Sequence, residues 1–418
     1  MTAGETHQAI EATFRIERAK LIAGLARMVR SLDLAEELAQ DALVVALGEW
    51  PRTGIPANPG AWLMTTAKRR AIDAIRRDRM RDRKHDEIAQ IPDAAYDDPA
   101  AAIEAAMDDD LGDELLGLIF TACHPILSPD SRAALTLRVV GGLTTEEIAR
   151  AFLAGEATIA QRIVRAKKAI AKAGLAFEVP RGAERAARLS SVLEVIYLIF
   201  NEGYAATAGD APIRPTLCLE ARRLGRILTG LMPEEAEMFG LLALMDIQAS
   251  RLQARVGPEG ELLTLAEQDR GRWDRLLIDT GLDALARAEA LGGDGPYALQ
   301  AALAACHACA AKPADTDWPK IAALYDRLRT VMPSPVIDLN RAVAHSMAFG
   351  PDAGLRLLDQ VAGAAALRDY APLPAARGDF LFRAGRLSEA RTQFEAAAGL
   401  TRNRREADFL IARAKACD

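Results

Sequence analysis

The stretch GLTTEEIARAFLAGEATIAQRIVRAKKAIAK, residues 142–172, decides how the rest of the chain is read. Thr144 stands three residues before Glu147, the spacing at which an N-cap hydroxyl and an N3 carboxylate satisfy each other's backbone amides, so a helix opens there. It runs to Leu153, Ala154-Gly155 turns the chain, and a second helix follows with Ile159, Ile163, Ala166 and Ile170 on one stripe. The other face carries Gln161, Arg162, Arg165, Lys168 and Lys172, and no acid occurs between Ala157 and Phe177. This is the pattern of a helix-turn-helix whose second helix lies in a major groove. Thr158, Gln161 and Arg162 then reach base edges, and the later cations hold phosphates. An ordinary helical hairpin with a basic surface shares the pattern, so the neighbouring segments carry weight.

Outward from this stretch the charge alternates in blocks. Residues 132–178 hold eight Lys/Arg and four Asp/Glu, residues 85–131 hold no Lys or Arg against twelve Asp/Glu, and residues 61–84 hold nine Lys/Arg against three Asp. The formal net charge of -6 hides two basic helical blocks around an acidic tether. Spread evenly, that charge would argue against a nucleic-acid binder. Concentrated in the tether, it predicts instead weak, salt-sensitive duplex binding by the free protein. The tether, about His85 to Asp110, carries Pro92, Pro99 and the run Asp108-Asp109-Asp110 with little apolar periodicity, which reads as a flexible linker.

The first basic block follows a turn-rich loop, Pro51 to Gly60, and reads as a helix from Ala61 to about Arg83. Leu63, Ala67, Ala71 and Ala74 or Ile75 line its buried side, leaving Lys68, Arg69, Arg76 and Arg77 mostly outward, with Trp62 at its start. An aromatic and a polar loop beside a cationic helix suit melted DNA, where bases stack or sit in pockets while cations track the backbone. Trp62 capping a small core is an equally ordinary reading. Before it, Asp33 to Trp50 is a helix with acids on one side and aliphatics on the other, a protein-docking pattern.

Beyond residue 178, Ala, Leu and Arg dominate and nearly everything reads as helix. Arg251 to Leu265 alternates around Gly257-Pro258-Glu259-Gly260, which predicts one small β-hairpin. In the last third, Gly378, Gly385, Ala390, Phe394 and Ala397 have the spacing of a tetratricopeptide (TPR) helix pair, with fainter copies at Ile321, Tyr325, Leu328 and Pro333 and at Ala353 and Leu357. The expected division is residues 1–84, an acidic linker 85–112, 113–178 with the helix-turn-helix, a helical regulatory domain 179–295 with the hairpin, and a TPR-like array 296–418.

No apolar run approaches the 18 or more residues of a membrane span, and Met1 to Glu11 lacks the order of a signal peptide, so a cytoplasmic protein with no membrane association is expected. Five scattered cysteines do not describe a disulfide framework. Catalytic roles for Glu202, Asp246, Glu267, Asp269 or Asp274 would need positioned carboxylates, and buried ion pairs are the plainer reading. Cys306-His307-Ala308-Cys309 lies in Ala-rich helix with no second ligand cluster, so core cysteines are expected rather than a metal site. With no phosphate loop, Ser/His/Asp set or HExxH either, no catalysis and no cofactor are expected.

Three segments then fall into a known order. Ala35-Glu36-Glu37-Leu38-Ala39-Gln40-Asp41 resembles a stretch of region 2 in RNA polymerase sigma factors of the extracytoplasmic-function (ECF) group. Trp62-Leu63, Ala67-Lys68, Ala71-Ile72-Asp73 and Arg76-Arg77 resemble that region's later helix. Gly142-Leu143, Glu147-Ile148-Ala149, Thr158-Ile159, Arg162 and Arg165-Ala166-Lys167 resemble region 4. The resemblance covers roughly residues 10 to 178, and the remainder is similar to the long helical, TPR-like extension of one ECF subgroup.

It implies an all-α initiation factor for core RNA polymerase, whose beta-prime and beta subunits and promoter DNA are its partners. Asp33, Glu36, Glu37, Leu38, Gln40 and Asp41 would dock on polymerase. Asn58, Trp62, Lys68, Arg69, Arg76 and Arg77 would meet the minus-ten element, Asn58 holding a flipped base. Thr144, Thr145, Thr158, Gln161, Arg162, Arg165 and Lys168 would meet the minus-thirty-five element. The acidic tether would thread cationic polymerase channels. Arg69, Arg70 and Leu43 depart from the group's usual residues, which weakens assignments beside them. The extension would regulate in cis or receive a peptide or protein partner. A helix-turn-helix regulator with a TPR-like sensor domain is the alternative.

Overall fold

α1 (Ala3–Val29) and α2 (Leu32–Thr53) are separated by two residues, and both are spent on the turn. Arg30 takes a left-handed φ of 52°, and the Ser31 hydroxyl accepts the Leu34 amide to cap α2. α3 (Pro59–Asp86) completes a three-helix domain. Its core is built by Leu21, Ile22 and Leu25, by Ala35, Leu38, Ala39, Ala42 and Ala46, and by Leu63, Ala67 and Ala71, all at helical spacing. The computed structural model describes residues 3–417 apart from 87–110, 153, 205–212, 258–262, 266, 362, 365–366 and 402–403. The expected acidic linker lies mostly outside the described residues.

Two boundaries differ from the sequence expectation. α2 runs through Pro51 to Thr53, so Pro51 stands inside its last turn, where it supplies no amide to the helix. Gly54 then ends it at φ +85°, a conformation that favours glycine. The loop before α3 shrinks to residues 54–58.

The chain forms two compact units, Met1–Pro233 and Glu234–Asp418. In the first, α4 (Leu111–Ala122) is apolar on nearly every side, with Leu115, Leu116, Leu118, Ile119, Phe120 and Ala122 all buried. Around it pack α1, α5 (Pro129–Val139), α8 (Gly182–Tyr204) and α9 (Pro215–Leu231). α6 (Thr145–Ala151) and α7 (Glu156–Lys172) form the helix-turn-helix. The boundary expected near 179 therefore lies inside the first unit, which keeps the first two helices of the extension.

The second unit starts with α10 (Ala236–Ala249), buried along most of its length between α11 (Arg275–Ala290) and α12 (Pro296–Cys309). α13 (Trp318–Val331), α14 (Pro335–Phe349), α15 (Pro351–Val361), α16 (Pro372–Arg383), α17 (Leu387–Leu400) and α18 (Arg404–Lys415) then pack largely on their sequence neighbours. Phe394 of α17 sits on Gly378 of α16, where an added Cβ would come within 2.9 Å of the ring. Ala390 and Ala397 beside it are fully buried.

Eighteen α-helices and no strand occur among the described residues; no hairpin is seen in the described part of 251–265, and its expected turn, 258–262, lies outside the described residues. Leu252–Ala254 is instead a 3-10 turn continuing from α10, and the Leu263 amide returns to the Arg255 carbonyl at 2.8 Å. The alternating side chains are drawn to other partners. Trp273 is buried with the Arg270 guanidinium 4.9 Å and the Arg251 guanidinium 5.9 Å from its ring centre.

Candidate nucleic-acid and polymerase interfaces

The helix-turn-helix is held by the expected cap. The Thr144 hydroxyl accepts the Glu147 amide at 3.1 Å, and the Glu147 carboxylate accepts the Thr144 amide at 2.7 Å. After α6 the Ala154 amide turns back to the Ala149 carbonyl at 2.9 Å, and α7 buries Ile159, Ile163, Ala166 and Ile170. Thr158, Gln161, Arg165 and Lys168 are exposed along one stripe, and Thr144 is exposed while Thr145 is half-buried. Thr144 is thus exposed, but its hydroxyl is committed to the cap. Arg162 is less free than expected, since Asp130 at the start of α5 lies 3.0 Å from its guanidinium.

The extension braces this element, a contribution no local pattern announced. Arg214, just before α9, donates to the Ala151 carbonyl at the end of α6 at 2.7 Å and pairs with Glu202. Arg223 of α9, clamped by Glu220, donates to the Val140 carbonyl at the end of α5 at 3.0 Å. Ser191 of α8 donates to the Cys123 carbonyl and accepts from Arg132, while Arg188 donates to the Phe120 carbonyl. Burial at this junction pushes the Cys123 thiol up to about 11.

On α2, Asp33, Glu37, Gln40 and Val44 fall on one exposed stripe, spaced four, three and four residues apart. Val44 was absent from the expected docking set, although its position four residues after Gln40 is readable. Leu38 is 4% exposed and belongs to the core stripe with Ala35, Ala39 and Ala42. It cannot meet polymerase as expected while this domain is folded. Asp41 pairs with Arg70 of α3 at 2.6 Å. Glu36 is engaged by three cations: Arg18 at 2.8 Å, Arg138 at 3.3 Å and Lys167 at 2.5 Å.

The candidate minus-ten surface is centred on the α2–α3 junction. The Asn58 side-chain oxygen accepts the Ala61 amide at 3.1 Å, capping α3 and leaving the amide nitrogen of its side chain for an outside partner. Trp62 is half-exposed and stands edge-on to the buried Trp50, ring centres 5.3 Å apart at 68°. Both readings of Trp62, core cap and DNA contact, fit this placement. Arg69, Arg76 and Arg77 are exposed and Lys68 is half-buried.

The carboxylates that could suggest catalysis have structural partners. Glu202 pairs with Arg214, Asp246 accepts from Thr280, Asp269 and Asp274 accept backbone amides at helix starts, and Glu267 caps Thr264. Cys306 is buried, whereas Cys309 is exposed rather than a core residue, and both line a cleft of about 600 Å³ with Leu285, Glu289 and Lys320. Among the described residues no group of three or more His, Cys, Asp or Glu is placed to hold a metal. No helix among them is long and apolar enough to cross a membrane.

Residues 14–81 match sigma-70 region 2 and residues 118–170 match sigma-70 region 4, on the elements just described. The chain belongs to the sigma-70 group and is an ECF-like sigma factor. Residues 188–289 match a family of unknown function (DUF6596), so this sigma factor carries a C-terminal extension that starts within its first compact unit. The chain is 42% identical over 397 residues to an uncharacterized protein of Rhizobium meliloti (strain 1021), covering 94% of this chain and 92% of that protein. No solved structure matches it. As a sigma factor it directs RNA polymerase to promoters and is not an enzyme.

Proposed function

We propose that this sigma factor docks on the beta-prime clamp helices of core polymerase, with contacts to beta, through the exposed α2 stripe Asp33, Glu37, Gln40 and Val44, with the less exposed Glu36 beside it. In this reading the α2–α3 junction, Asn58 and Trp62 with Lys68, Arg69, Arg76 and Arg77, contacts the minus-ten element. The α7 stripe, Thr158, Gln161, Arg165 and Lys168 with Arg162, reads the minus-thirty-five element, and Thr144 and Thr145 contact its backbone. The observation that carries the reading is the α7 stripe, polar and exposed on a helix whose opposite face is fully buried.

The second compact unit acts as a TPR-like array that regulates in cis or receives a peptide or protein partner, and the protein works in the cytoplasm. Because α8 and α9 brace the helix-turn-helix, a truncation that isolates the regulatory part falls after Pro233 and not near residue 180. In vitro transcription with purified core polymerase, with and without this protein, tests the whole. Promoter-dependent transcripts that require it are expected, and their loss when Arg165 is changed to Glu. No dependent transcript from any cognate promoter overturns the reading.

A further inference from the structure

Cys306 and Cys309 sit in the last turn of α12, the one place in the chain where two cysteines stand three residues apart. Their surroundings differ. Cys306 is 8% exposed, whereas Cys309 is the one exposed cysteine of the five. Both line the same cleft of about 600 Å³, walled by Leu282, Leu285, Ala286 and Ala305 and carrying the Lys320 side chain. Burial pushes the Cys306 thiol up. Lys320 pulls it back in part, while Asp317 and Cys309 add to the rise, so the two sulfurs lie within each other's field.

On a regular α-helix, Cα atoms three residues apart are about 5 Å apart, inside the roughly 4.4–6.8 Å that a disulfide spans. The Cβ atoms fit less well. They stand about 5–6 Å apart, against about 3.5–4.5 Å across the bond, so one partner has to move inward by about 1–2 Å. Cys309 is placed to do so, because it is the final residue of α12 and Ala310 leaves the helix in an extended conformation, φ -73° and ψ 121°. The movement is resisted. Arg270 donates to the His307 carbonyl at 2.8 Å and to the Ala310 carbonyl, and its guanidinium is buried over the Trp273 ring. Closing the pair pulls Ala310 against this anchor, which makes a bond that forms and is readily reopened.

We infer that Cys306 and Cys309 are a reversible dithiol site whose substrates are hydroperoxides. The Cys309 thiolate attacks one peroxide oxygen, the O–O bond breaks, and the other oxygen leaves as water once protonated, so that Cys309 becomes a sulfenic acid. The Cys306 sulfur then attacks the Cys309 sulfur, its proton joins the departing hydroxide, and a second water is released. The two thiols have lost two electrons and two protons, and hydrogen peroxide has become two waters. Two glutathione molecules reverse the change by passing to their own disulfide. Burial divides the labour: attack needs access, which Cys309 has, and condensation needs a neighbour held in place, which Cys306 supplies. Cys123, Cys218 and Cys417 are all buried and compete poorly. The site is independent of the proposed promoter and polymerase contacts.

Hydrogen peroxide added to the reduced full chain tests it. Peptide mapping by mass, without reductant, should show the peptide that carries Cys306 and Cys309 lighter by two hydrogens as the main product, with Cys123, Cys218 and Cys417 still open to alkylation after unfolding. Glutathione should restore both thiols. Cys306→Ser should strand the Cys309 sulfenic acid, so that dimedone labels it at least about tenfold more than in wild type. Cys309→Ser should slow the oxidation of Cys306 by about tenfold or more. In wild type, Cys309 carried on to sulfinic acid while Cys306 stays a thiol, or a chain-to-chain disulfide through Cys309, overturns the pairing. A disulfide that forms but resists glutathione is a structural cross-link and overturns the reversible site. Two thiols left reduced by peroxide that oxidises free glutathione overturn the site as a whole.

Discussion

The two compact units use charge differently. In the first, the decisive polar contacts join residues far apart in sequence: Lys167 with Asp33, Arg18 with the Arg138 carbonyl, Arg214 with the Ala151 carbonyl. In the second, many ion pairs stay within one helix end or between neighbouring helices, such as Arg391 with Glu395 and Arg341 with Asp326, and close packing of rings on small residues joins the helices. The first unit is therefore tied together by contacts that a competing ligand can take over. The second is stacked, and each part depends mainly on its neighbours.

That contrast can be broken at several points. The largest effect is expected from Phe394→Ala, which empties the space over Gly378 and should cost about 3–5 kcal/mol in the second unit. Chemical denaturation should show that unit's transition displaced while region 4 still binds duplex. Next is Arg214→Ala, which removes a guanidinium from Glu202 and uncovers the end of α6, at a cost of about 3 kcal/mol. Here duplex binding should weaken together with unfolding of the first unit. Retention of full duplex affinity would mean α9 does not brace the helix-turn-helix.

A smaller effect concerns His307. Its pKa is pushed down to about 4 by burial and by the nearby Arg251 and Arg270 guanidinium groups, and its ring stands edge-on to Trp318. The unfolded chain binds a proton near pH 6.5 and the folded chain does not, so stability rises with pH across this window. Acidification from pH 6.5 towards 4 should remove about 2 kcal/mol from the second unit, a figure discounted for the partly exposed ring. His307→Gln should flatten that slope, and an unchanged pH profile would refute the assignment. Smallest is Arg391→Ala, an exposed pair one helical turn apart, where thermal melting should move by no more than about 0.5 kcal/mol.

The sequence made readable whatever is encoded within a few residues. The Thr144–Glu147 cap, the Ile159-Ile163-Ala166-Ile170 stripe and the Phe394 packing all follow from spacing along one helix or helix pair. Leu38 lies in the core, on the face that Ala35, Ala39 and Ala42 mark as buried, whereas the resemblance to region 2 puts it at the polymerase surface. Alternation at 251–265 shows only which residues differ in polarity, and no hairpin is seen in the described part of that stretch. It cannot reveal that Trp273, further along the chain, draws in the arginine side chains. The long-range contacts of Arg214, Arg223 and Lys167 are not legible in the sequence, since their partners lie 63, 83 and more than 130 residues away.

The pair Trp50 and Trp62 carries an optical consequence. Trp50 is 1% exposed and shielded from solvent, whereas Trp62 sits half-open at the mouth of the proposed minus-ten surface. A base stacking on Trp62 would quench its emission, while the buried Trp50 and Trp273 and the half-buried Trp318, edge-on to His307, would change little. If Trp62 makes that contact, single-stranded minus-ten DNA added to the isolated protein would be reported by Trp62 emission without any label.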